Sequence, residues 1–149
     1  MRLGILYLSL FSLFIIAGCT SDPATSKEDQ WKDNSPAFSS DFGNMFGKDG
    51  RIGIIGSKKI PKEGQKWMWH FWGTEEITTK HWKVKATKQG AKDEINPIIQ
   101  KDDVLTARGK DINGHARSAV KFPSSGLWKL QVFIDGHFFD EMIVDIEQQ

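Results

Sequence analysis

The sequence predicts an all-β sandwich of about seven strands, and three observations carry that expectation. After position 37, short apolar stretches alternate with turns made of Gly, Asp, Asn and Pro. No segment keeps an apolar period of 3.6 residues over three helical turns. The C-terminal stretch reads as an amphipathic hairpin, which has to bury one face against something. With strands upstream and no helix, that something is a second sheet.

The N-terminus is of another kind. Its first 18 residues carry Arg2 as their only charge, followed by an apolar run from Leu3 to Ile16. Such a run is a signal peptide, shorter than the roughly 20 residues a membrane-spanning helix needs. It ends in Ile16-Ala17-Gly18-Cys19, small residues ahead of a cysteine, in the pattern of a lipobox. The thiol of Cys19 is the expected lipidation site, and cleavage before it leaves Cys19 as the first mature residue. Cys19 is the sole cysteine, which excludes an intrachain disulfide and a multi-thiolate zinc site. Two acyl chains hold a protein at a bilayer, each buried methylene contributing about 0.8 kcal/mol. Residues 19–37 are polar, contain Pro23 and Pro36, and read as a flexible tether. Trp31 is the exception, a residue to pack on the domain, to sit at the lipid interface or to do neither.

Residues 38–149 form the expected domain. Candidate strands are 38–42, 51–55, 65–72, 81–87, 119–122, 127–134 and 137–146. The last two are the most sharply patterned. Trp128, Leu130, Val132 and Ile134 share one face of the first, and Phe138, Met142, Val144 and Ile146 share one face of the second. Asp135-Gly136 between them is a two-residue hairpin turn, because Gly accepts positive φ and Asp tolerates it. The segment 88–118 is charged and weakly patterned. It yields one or two edge strands, and residues 109–114 read as a long loop, a place where function often sits.

Trp67-Met68-Trp69-His70-Phe71-Trp72-Gly73 is the most unusual stretch. Alternation sets Trp67, Trp69 and Phe71 on one face and Met68, His70 and Trp72 on the other. Either this is a central strand covered on both sides, or His70 and Trp72 line an exposed groove where an aromatic ring stacks on a sugar or planar ligand. The candidate binding surface is His70 and Trp72 together with His115 from the 109–115 loop. The four histidines, His70, His81, His115 and His137, show no metal-ligand spacing, so no metal site and no cofactor is expected. Met45 and Met68 are the residues able to join His70 in a soft copper site. No G-x-S-x-G motif and no framed carboxylate pair occurs, and the chain is read as a non-enzyme. Its 20 Lys+Arg against 19 Asp+Glu, balanced once Arg2 is removed, give nucleic acid no footprint.

The lipobox, the Trp69-His70-Phe71-Trp72-Gly73 strand and Pro123-x-x-Gly126-x-Trp128-Lys129-Leu130 through Ile134-Asp135-Gly136 resemble a group of small Gram-positive lipoproteins whose exported part is an immunoglobulin-like domain of unknown function. The resemblance implies an immunoglobulin-like sandwich, without the cysteine pair of antibody-type domains, at the extracytoplasmic face of the cell membrane. It carries over no site. Two functional expectations follow. The first is a membrane-anchored, non-enzymatic binding or accessory module of the cell envelope, partnered by an envelope protein. The alternative is an exported carrier of a metal ion or small ligand such as a sugar or cell-wall fragment, which expects His70 near Met45, His81 or another histidine.

Overall fold

A computed structural model describes residues 31–73, 76–109 and 111–149. The signal peptide and the lipidation site at Cys19 lie outside the described residues. Twelve strands run in chain order: β1 (Ala37–Ser40), β2 (Gly43–Lys48), β3 (Ile52–Ile55), β4 (Lys59–Ile60), β5 (Gln65–Phe71), β6 (Trp82–Lys88), β7 (Glu94–Ile95), β8 (Ile98–Lys101), β9 (Thr106–Arg108), β10 (Ile112–Val120), β11 (Gly126–Ile134) and β12 (His137–Gln148). There is no helix among the described residues. The all-β sandwich is therefore as expected, with more strands than the expected seven because several are only two to four residues long.

The larger sheet is ordered β1-β2-β3-β5-β10-β8, with β9 also paired to β10. The smaller is ordered β4-β12-β11-β6-β7. Their facing sides make one core. From the larger sheet come Trp67, Trp69, Phe71 and Ile54; from the smaller come Trp128, Leu130, Val132, Met142, Val144 and Ile146. All of these are the alternate residues of their strands, so the period of two decides which side chains leave water. The buried indoles keep their N–H groups satisfied. Trp69 donates to the Ser118 hydroxyl at 2.9 Å, Trp67 to the Ser57 carbonyl at 2.8 Å, and Trp82 to the Asp102 carbonyl at 3.0 Å.

The hairpin β11–β12 forms with the expected turn, Ile134 opposite His137, but a β-bulge next to it sets Val132 opposite Asp140, so Phe138 is exposed beside Phe133 instead of sharing the buried face of Met142, Val144 and Ile146. Asp135 at φ 51° and Gly136 at φ 82° are both left-handed, the pair of conformations that suits the twist of the flanking strands.

The expected loop is also overturned. Residues 109–114 are not a long loop, because β10 already begins at Ile112 and runs nine residues through the middle of the larger sheet. Its inward face is Ile112, Gly114, Ala116, Ser118 and Val120, all buried. Small and polar residues at core positions hid the alternation. They are small for a reason: a Cβ at Gly114 would lie 2.9 Å from Ile77 Cδ1 and 3.0 Å from Leu105 Cδ1.

The stretch before β1 is docked on the smaller sheet. Asn34 N–H donates to the Ile143 carbonyl and Asn34 Oδ1 accepts from the Ile143 N–H, at 3.1 and 2.6 Å. Asp33 accepts from the Asp145 N–H and from Lys58 Nζ. Burial pushes the Asp33 carboxyl up, but donors from Lys58, Ser35 and Asp145 outweigh it and hold it at about 2. Trp31 packs on the domain, with the Lys129 ammonium 4.7 Å from its ring centre.

Candidate functional site

The outer side of the larger sheet should be wet, since its inner side already faces the core. Instead it carries a second layer of side chains. Strand β5 sends Met68, His70 and Trp72 outward. Opposite His70 stand Gly53 on β3 and His115 on β10, and opposite His115 stands Thr106 on β9. Gly53 is what opens the layer. With no side chain there, the Met45 sulfur, Phe38 and Trp72 close over the gap; a Cβ would lie 2.6, 3.0 and 3.0 Å from them. Phe42, from the turn between β1 and β2, covers the top at 5.9 Å from the His70 ring.

His70 ends up with no exposed surface. It does not form exposed surface, contrary to the groove reading; β5 is the central strand covered on both faces. Trp72 and His115 are half-buried beside it. The His70 ring lies 5.1 Å from that of His115 and 6.2 Å from that of Trp72. Among the described residues neither of its ring nitrogens has a hydrogen-bond partner. Main-chain groups of Met68 and Gly53 lie close enough to favour the charged form, without reaching a ring nitrogen in hydrogen-bonding geometry. Burial first, then the charges of His115 and Arg108, push the His70 pKa down to about 4. His115 is lowered as well, by burial and by Arg108 and Arg117, with Asp102 opposing. Both imidazoles are therefore neutral at pH 7.

Arg108 closes the other side. Its Nη1 donates to His115 Nε2 at 2.9 Å and to the Met68 sulfur at 3.0 Å, and its guanidinium lies 5.1 Å from the Phe42 ring centre. No carboxylate pairs with it among the described residues, and its contacts are a ring nitrogen, a thioether and a π face. Beyond Arg108 the surface opens into a cleft of about 530 Å³ lined by Met68, Thr106, Arg108, His115, Arg117 and Asp102. Arg117 and Asp102 form a two-pronged pair at 3.1 Å each, which holds the Asp102 carboxyl below its usual range.

Of the residues singled out in the sequence, His70, Trp72, His115, Met45 and Met68 come together. His81 does not; it is exposed, 3.4 Å from Asp103. Arg108, Phe42 and Gly53 were missed. Arg108 sits on a three-residue strand with no pattern to read, and Gly53 looks like any strand glycine until its neighbours are known. Among the described residues no three His, Cys, Asp or Glu side chains converge on one point.

Fold and site together define a class: a two-sheet β-sandwich that carries an aromatic, histidine and thioether layer on the outside of its larger sheet. The chain belongs to the family described as Domain of unknown function (DUF4871), which matches residues 24–144. It shares its fold with a crystal structure described as that of a "Putative Lipoprotein from Bacillus anthracis". That likeness has a TM-score of 0.63 at 23% identity, over 78% of this chain and 86% of that one. No curated protein matches the chain.

Proposed function

We propose that the chain is a lipid-anchored, extracytoplasmic and non-enzymatic binding or accessory module of the cell envelope, held at the membrane through Cys19. The observation that carries the binding role is the second side-chain layer on the outer face of the larger sheet. Burying an imidazole without hydrogen-bond partners in that layer costs free energy that packing alone does not require, and an open cleft beside it gives a partner access. The lipobox supports the anchor, as does the likeness to a protein itself described as a putative lipoprotein. Two sheets packed face to face, antiparallel except for the short parallel pairing of β4 with β12, support the immunoglobulin-like reading of the sandwich. The carboxylates at the cleft are engaged, Asp102 by Arg117 and Asp103 by His81 and Lys101 at 3.4 and 3.8 Å, which suits recognition better than proton transfer.

Fractionation of cells expressing Cys19→Ser tests the anchor: the variant moves to the growth medium. Crosslinking in intact cells tests the surface. Trp72→Ala and His115→Ala lose the captured envelope partner; unchanged capture by both variants refutes this surface.

A second reading, an exported carrier of a metal ion or small ligand such as a sugar or cell-wall fragment, is favoured by one specific observation. Two neutral imidazoles lie 5.1 Å apart, one of them buried and without partners.

A further inference from the structure

We propose that the outer-face layer binds one soft monovalent metal ion, Cu(I) or its analogue Ag(I), through His70, His115, Met45 and Met68, and that Arg108 occupies part of that donor set until the ion arrives. The inference rests on the carrier reading and deepens it.

Three features converge. The first is His70. A buried imidazole whose two nitrogens lost their water and found no partner among the described residues calls for an explanation. A metal ion uses a nitrogen lone pair that nothing in the protein uses. The second is spacing. Two imidazoles on one metal put their ring centres at most about 6 Å apart, given metal–nitrogen bonds of about 2.0 Å. The observed separation is 5.1 Å. The thioether of Met68 and Nε2 of His115 share one donor, Arg108 Nη1, at 3.0 and 2.9 Å. Their lone pairs thus already point at a common position, and that position holds a cation. The third is Gly53, directly across the sheet from His70. Its missing side chain leaves room for the Met45 sulfur, whose position is 2.6 Å from where a Cβ would stand. Cross-strand Cβ positions lie about 4.5–5.5 Å apart, so this sulfur stands on the same outer face as His70, where it accepts from the Ser40 hydroxyl at 3.7 Å.

The donor chemistry selects the ion. Two neutral nitrogens and two thioethers, with no carboxylate or thiolate, suit a soft ion of low charge and not Zn(II), Mg(II) or Ca(II). A single positive charge also costs least next to Arg108. The guanidinium has the open cleft to move into when the ion displaces it.

The test uses the full-length chain carrying Cys19→Ser, so that its one thiol is gone, in detergent. Ag(I) is titrated with the histidine ring resonances as readout, and Cu(I) is titrated against the chelator bathocuproine disulfonate. One equivalent is expected to bind and to move the His70 and His115 resonances, with Zn(II) moving neither. Adding His70→Leu lowers the affinity at least 100-fold while urea melts report an intact fold. Met68→Leu lowers it about tenfold. Arg108→Gln raises it about tenfold, because a competing cation is removed. Absence of a saturable equivalent, equal affinity in His70→Leu, or no gain in Arg108→Gln overturns the proposal. Muramyl dipeptide and glucose are titrated into the same protein. If either binds and the metals do not, this inference falls and the carrier reading stands; if none binds, both fall.

Discussion

Replacing His70 by leucine should make the metal-free protein more stable, and the gain should grow as the pH falls. Most substitutions of a fully buried residue destabilise. Here the native side chain is the liability. Its two ring nitrogens left water and found no partner, at a cost of about 1–3 kcal/mol, while a leucine of similar size meets Phe42, Trp72 and the methionines without that cost. The pH dependence follows from linkage. The folded pKa of about 4 lies below the unfolded value of 6.5, so the unfolded chain takes up the proton first. His70 thus leaves stability intact above pH 6.5 and subtracts from it as the pH falls toward 4. By pH 5 that loss is about 2 kcal/mol. His70→Leu should therefore gain about 1–2 kcal/mol at pH 7.5 and about 3–4 kcal/mol at pH 5. Urea melts of both proteins at the two pH values, in the presence of a metal chelator, measure it. A variant that is less stable than the parent at both pH values, or a gain that ignores pH, would refute the account of His70 as a buried, unsatisfied imidazole.

Gly53→Ala places a methyl group against the Met45 sulfur and the Phe38 and Trp72 rings, and should cost about 1–2 kcal/mol with a shift in Trp72 fluorescence. Asp33→Asn removes the negative charge facing Lys58, turns one of the two accepting oxygens into a donor and weakens the docking of residues 31–36; thermal melts should show a loss of about 1–2 kcal/mol at pH 7, and limited proteolysis should cut sooner near Asn34. The same carboxylate, with a folded pKa of about 2 against 3.8, gives the parent protein stability above pH 4 that disappears as the pH drops through 2, a dependence that Asp33→Asn should lack. Gly136→Val puts a β-branched residue at φ 82° and should lower the melting temperature by several degrees, where Gly136→Asn is tolerated.

The parts of the fold that were legible are those where side chains alternate between large apolar and polar. The β11–β12 hairpin and its Asp135-Gly136 turn follow from that alternation and from turn chemistry, whereas strand β5, aromatic on both faces, left open whether both would be covered. Strand β10 was lost because Gly114, Ala116 and Ser118 fill its core positions, and a core position can be small when Ile77 and Leu105 press against it. Strand β2 was lost for a similar reason, Gly43 and Gly47 framing Met45 and Phe46. The site was half legible. The residue types His70, Trp72, His115, Met45 and Met68 stood out, but their meeting depends on register between β5 and β10, which are some forty residues apart in sequence. Arg108 could not be found without that register.

The docked stretch at residues 33–34 has a consequence for how the molecule behaves in a crowd. On the smaller sheet, β4 covers only the end of β12, at Glu147 and Gln148. The peptide groups of Ile143 and Asp145 farther along that border would otherwise be open to a strand from another molecule, the usual start of edge-to-edge aggregation. Asp33 and Asn34 occupy those groups with one main-chain and two side-chain bonds, so the border is shut by the chain's own leader. On a membrane, where the proposed anchoring would bring copies of the chain side by side at high local density, that seal would keep them from zipping together, and trimming the chain back to Ala37 would remove it.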